Sequence, residues 1–273
     1  MWLNIASGAF VRITGSGLGC SDWPQCHNGA LTPPSGYHAA VEFSNRLVAL
    51  VGIIVAVLAY LVARRMGDRV ASRLAAATAF LGLVQIPLGA LTVAVHLHFA
   101  AVILHFLVAL VATALATALW ARRGVSVPPT TSRIRPLAAA ATIAVAGLIV
   151  SGALVSAASP FRGDPRAKRI DLSLADLAYI HVRVAILAIV VLSVLLVVLA
   201  RSSGSRVRWR GPAIAVLVLV PLQAAIGEYQ YHESYTAQLV LAHVSVAGAL
   251  WIAMVSLTTR IVQRPTSSLR SHP

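Results

Sequence analysis

The sequence predicts an all-α, polytopic membrane protein made of two four-helix units, and three observations predict it. Of its 273 residues, 58% are hydrophobic and only 11% charged, with a mean hydropathy of +0.82, which is more apolar than soluble domains are. Seven stretches reach or approach the ~20 apolar residues that cross roughly 30 Å of hydrocarbon. The rare polar residues recur at equal spacing in the two halves.

The opening piece, MWLNIASGAFVRI, is too short to span. It reads as the tail of a first helix whose front is missing, or as a re-entrant piece. Without a basic n-region or a small-residue cleavage site it is not a signal peptide. A polar loop follows over 14–40, and spans are predicted near 41–63, 74–95, 99–121, 136–157, 175–200, 211–230 and 237–259. The units are then 1–121 and 136–259, joined by a linker at 122–135 and followed by a tail at 260–273.

The net charge of +14 raises the question of nucleic acid, but nothing soluble is left to form a binding domain. Most of the Lys and Arg fall in alternate loops, at 64–73, 122–135, 201–210 and in the tail from Arg260, with Asp68 as their one acid. The positive-inside rule makes these segments cytoplasmic, and anionic lipid headgroups are all the partner they need. Segments 14–40, 96–98, 158–174 and 231–236 are then outside, although the basic 159–174 loop dissents. Both cysteines, Cys20 and Cys26 in CSDWPQC, lie in the first outer loop. An oxidising location favours a disulfide over two free thiols. A metal site is the weaker reading, because only His27 stands nearby.

The repeat is carried by spacing. Gln85 to Gly89 and Gln223 to Gly227 are each four apart; Gln85 to His105 and Gln223 to His243 are each twenty apart. GAFVR from Gly8 resembles GALVS from Gly152, and SNRL at Ser44 falls where the second half has IHVRV from Ile180. Two units in the same order and orientation make a parallel repeat about an axis along the membrane normal. Gly89 and Gly227 are read as close helix packing.

His105, His181 and His243 each lie about two turns inside the outer end of a span. An imidazole at membrane depth is costly, and function is its default reading. A proton relay would want carboxylates near the midplane, and the acids here lie mostly in loops. Haem ligation fits better, since iron takes axial imidazoles and a four-helix bundle can hold a porphyrin between facing helices. His181 and His243 would make a bis-histidine site; the corresponding first-half positions are Asn45 and His105. His96, His98 and His232 are read as loop or interfacial residues.

With these residues in view, the chain resembles the haem A synthase family. The resemblance is carried by GAFVRITGSGLGCSDWPQC, VEFSNRL, LHF around His105, HVR around His181 and LAH ending at His243, and it covers nearly the whole chain. It implies two pseudo-symmetric four-helix bundles in a bacterial plasma membrane, with a b-type haem as cofactor in the second half and a substrate haem in the first. The implied reaction oxidises a methyl group of haem O to a formyl group, giving haem A, by successive hydroxylations and loss of water. Implied partners are haem O synthase, the cytochrome oxidase assembly route and a quinol or other electron donor. His181 and His243 match the cofactor ligands, His105 a substrate-site ligand, Glu42 a glutamate tied to catalysis, and Cys20 with Cys26 the loop pair.

Asn45 departs from that pattern, which has histidine there in Glu-x-x-His-Arg. His38, Glu42 and Asn45 follow i, i+4, i+7 spacing and share a face. His38 is therefore a weaker second ligand candidate, roughly 10 Å away by helical rise. An iron with one open position would suit chemistry on the bound haem. Glu42 is read either as a helix-start carboxylate or as a proton acceptor. Arg46 and Arg183 are each read as snorkelling cations or as haem propionate partners. The reading from another class is a bis-histidine haem b electron carrier, quinol-linked and without substrate chemistry.

Overall fold

A computed structural model describes residues 1–27, 29–30, 32–33, 35–122, 134–159, 164, 167–202, 206–232 and 236–263. The predicted linker except its ends, most of the tail and His272 lie outside the described residues. Helix order is α1 Trp2–Ile13, α2 Tyr37–Arg65, α3 Arg69–Ala94, α4 Phe99–Ala121, α5 Ile134–Ala158, α6 Leu174–Arg201, α7 Arg206–His232 and α8 Ala237–Val262. Seven of these are long and apolar enough to cross a membrane, whereas α1, at 12 residues, is not. The described chain is thus all-α and multi-pass, as the apolar stretches predicted.

Helix starts follow local chemistry. Asp68 accepts from the backbone N–H groups of Val70 and Ala71 and caps α3; Ser173 and Thr236 cap α6 and α8 in the same way. Between α3 and α4 the chain reverses through His96 and Leu97, both at positive φ (49° and 56°).

Neighbours in sequence pack as antiparallel pairs along α1 to α4, and α5 pairs with α6 as α7 does with α8. α8 is the central element, touching α1, α4, α5 and α7. Its lower part sits in the main core with Leu192, Leu195 and Leu199 of α6, Ala141 and Val145 of α5 and Leu110 of α4. Polar clamps fix the register: the Trp251 indole Nε1 donates to the Leu110 carbonyl at 3.0 Å, and the Thr142 and Thr258 hydroxyls meet at 2.7 Å. Large apolar side chains left exposed, such as Leu50, Ile54 and Leu58 on α2 and Leu187, Val190 and Val194 on α6, are those a bilayer would solvate. Association inside lipid then depends on small residues that let helices approach. The buried Ala138, Ala141, Ala188 and Gly248 serve that purpose here.

Candidate functional site

The site is built at the end of the bundle that carries the cysteine loop. His181 on α6 and His243 on α8 face each other with ring centroids 6.4 Å apart and planes inclined by 64°. The His181 Nδ1 is hydrogen-bonded to the Ser151 hydroxyl of α5 at 2.8 Å, which fixes the ring. The His243 Nδ1 is buried and has no hydrogen-bond partner.

Each ring lies over a glycine on the preceding helix. A Cβ added to Gly152 would stand 3.1 Å from the His181 Cε1, and one on Gly227 would stand 3.2 Å from the His243 Cε1. Glycine at these points is therefore a matter of room for the imidazole. In the first half His105 of α4 lies over Gly89 of α3 in the same way, 3.8 Å from a Cβ placed there. Its Nδ1 is likewise buried and unpartnered. The Gln85 side-chain amide donates to the His105 carbonyl at 3.0 Å, while the Oε1 atoms of Gln85 and Gln223 are both buried without partners. Gln, Gly and His recur together in space as they do in sequence.

Asn45 of α2 occupies the fourth position of the repeat. Its Oδ1 accepts from the Ser7 hydroxyl of α1 at 2.7 Å, the counterpart of the Ser151–His181 contact. Ser7 and Ser151 were not singled out in the sequence, although each immediately precedes the repeated glycine, as SGAF and SGAL. Arg12 and Ser156, equivalent residues of the two halves, meet directly: the Arg12 guanidinium donates to the Ser156 carbonyl.

The loop after α1 packs down on this end. Cys20 and Cys26 form a disulfide, buried with Ala39 of α2 and packed on the partly buried Phe43. Gly19 lies against the His38 backbone, where a Cβ would meet the carbonyl at 2.4 Å, and Gly17 lies against the Leu97 side chain. At Gly19 only glycine permits so close an approach of loop to helix. Glu42 is buried, with Oε2 accepting from the Cys20 N–H at 2.8 Å and Oε1 paired with Arg46 at 2.6 Å. The other arm of Arg46 donates to the carbonyls of Asp22, Pro24 and Gln25. Carboxylate and guanidinium together tie the disulfide loop to α2. His38 is exposed, and its Nδ1 meets the buried Ser16 hydroxyl at 3.0 Å. The exposed Arg183 lies over the Tyr179 ring, 3.1 Å from its centroid. A mainly apolar hollow between the loop-side ends of α1 and α8, lined by Phe10, Ile13, Leu241 and Ala242, holds none of the site histidines.

The family described as "cytochrome oxidase assembly protein" (COX15-CtaA) matches residues 36–162, a stretch with Glu42, Asn45, Arg46 and His105 that ends before His181 and His243. The chain is 33% identical over 120 residues to a protein named heme A synthase from Symbiobacterium thermophilum, covering 44% of this chain and 37% of that protein. It is 37% identical over 51 residues to a heme A synthase from Macrococcus caseolyticus, covering 19% of this chain and 17% of that one. The matched stretches thus span well under half the length of either relative.

Proposed function

We propose, from the match of residues 36–162 to the cytochrome oxidase assembly protein family, that the chain oxidises a methyl group of haem O to the formyl group of haem A. The observation that carries the reading is the pair of facing imidazoles, His181 and His243, each seated over a glycine, with His105 repeating that arrangement in the first half. A planar iron porphyrin suits these residues: the imidazoles are of the donor type that iron takes axially, and the Nδ1 atoms of His105 and His243 are buried polar groups with no protein partner.

His181 and His243 would hold a b-type haem in the second half, 136–259. One-electron transfer is the chemistry such a haem supplies. His105 would hold the substrate haem in the first half, 1–121, with Arg46 as its candidate propionate partner, and Arg183 is the candidate propionate partner of the second-half haem. Glu42 is the carboxylate we assign to proton acceptance during the oxidation, at the oxygen it shares with Arg46. Its second oxygen, bonded to the Cys20 N–H, couples that task to the closed loop. We place the loop and the haem sites at the outer face of a bacterial plasma membrane, with the C-terminus cytoplasmic. A quinol or another electron donor, haem O synthase and oxidase assembly would be the surroundings.

Pigment extraction tests this. Membranes containing the protein should yield formyl-bearing haem when haem O is supplied; haem b alone would favour the electron-carrier reading. His181→Ala or His243→Ala should remove the low-spin b-type spectrum, and retention of that spectrum in both variants would sink the ligand assignment.

A further inference from the structure

The first half differs from the second at one ligand position, and the difference has a definite shape. His181 is replaced there by Asn45, and the serine that orients His181 in one half holds the Asn45 Oδ1 in the other, at 2.8 Å and 2.7 Å. The Ser7 hydroxyl also lies 3.3 Å from the Asn4 carbonyl, the longer of its two contacts. With Oδ1 turned to Ser7, Nδ2 is the amide atom left for the site. The space has changed as well: a Cβ on Gly152 would press on the His181 ring at 3.1 Å, but one on Gly8, its counterpart, would meet nothing within 4 Å.

Other side chains nearby are committed elsewhere. His38 lies two turns toward the loop, about 10 Å along the helix, and its Nδ1 is joined to the Ser16 hydroxyl, which meets that of Thr14 at 2.7 Å. Both Glu42 oxygens are engaged by Cys20 and Arg46. A neutral carboxamide is a poor ligand for haem iron beside imidazole or thiolate.

We propose that the first half holds haem iron through His105 alone and that the Asn45 amide, fixed by Ser7, is a hydrogen-bonding group over the opposite face. This half therefore takes a small diatomic molecule on the iron, and the bis-histidine half does not. Asn45 acts on the bound molecule through Nδ2, and Ser7 is a positioning residue. The inference rests on the haem reading above.

The test is carbon monoxide binding to the full chain, loaded with haem in detergent and reduced, read by visible and infrared spectra. One haem per chain should bind carbon monoxide while a second keeps its low-spin spectrum. His105→Ala should abolish the carbon monoxide complex and spare the low-spin haem, whose spectrum also reports that the variant has folded. Asn45→Leu should retain the complex with its C–O stretch shifted to higher frequency, since a hydrogen bond to the bound oxygen is lost. Ser7→Ala should shift it in the same direction by less. Asn45→His should close the iron and remove carbon monoxide binding. A low-spin haem with no carbon monoxide complex, a complex that survives His105→Ala, or an unchanged stretch in Asn45→Leu would overturn the proposal and leave the second-half ligand pair standing. Carbon monoxide binding that emerges only in His38→Ala would overturn it in favour of His38 as ligand. Absence of any low-spin haem would remove the wider haem reading together with it.

Discussion

Glu42 bridges α2 and the cysteine loop. Its carboxylate joins the Cys20 backbone to Arg46, and Arg46 in turn gathers three loop carbonyls. Glu42→Gln keeps an acceptor for the Cys20 N–H but loses the charge, whereas Glu42→Ala loses both. Removing a partner from buried polar groups costs about 1–3 kcal/mol. We expect Glu42→Ala to lower the unfolding temperature and speed reduction of the Cys20–Cys26 disulfide by added thiol, with Glu42→Gln intermediate in both, since its single oxygen can accept from the Cys20 N–H or from Arg46 but not from both. If the carboxylate also accepts a proton, haem A formation falls in both variants; loss that tracks only loop stability would reduce Glu42 to an anchor. The glycines are tested similarly. Gly152→Ala and Gly227→Ala press on imidazole rings, an overpacking that typically costs about 1–3 kcal/mol. On the proposed function they should lower the haem retained per chain, whereas Gly8→Ala, which meets no atom, should leave haem retention at the parent level.

At the scale of elements, the seven long helices were legible because apolar length alone marks a bilayer span. Boundaries moved outward in the structure: α2 begins at Tyr37 and α7 runs Arg206–His232, each several residues beyond the apolar run. A helix carries its polar ends past the hydrocarbon wherever backbone hydrogen bonding continues to be favourable. The α3–α4 connection was legible as a short turn but not in its conformation. His96 is exposed at φ 49°, where a non-glycine residue carries a cost of roughly 1–2 kcal/mol. His96→Gly should therefore stabilise the chain by up to about 1 kcal/mol after glycine's own entropy is counted, visible as a higher unfolding temperature in detergent. Leu97→Gly should not gain, because the Leu97 side chain packs on Gly17 of the cysteine loop.

For the molecule as a whole, α8 joins the two halves through α1, α4 and α5. The Trp251 bond to the Leu110 carbonyl crosses between them. Trp251→Phe keeps the ring's packing and removes one buried hydrogen bond, so it should cost about 1–3 kcal/mol, seen as a lower unfolding temperature with both halves affected together; two separate transitions would show that the halves unfold independently. Legible along the chain are the all-α membrane class, the number of long helices, the repeat of Gln, Gly and His, and the cysteine pair. Each is a matter of composition or spacing along one chain, where the helical period converts sequence distance into position on a face. Folding alone brings the His181 and His243 rings to 6.4 Å, sets Ser7 on Asn45 as Ser151 is set on His181, and closes Glu42 and Arg46 on the cysteine loop. These are meetings between helices, set by packing angle and close approach at small residues, and apolar helices of similar composition carry no local record of which faces will meet.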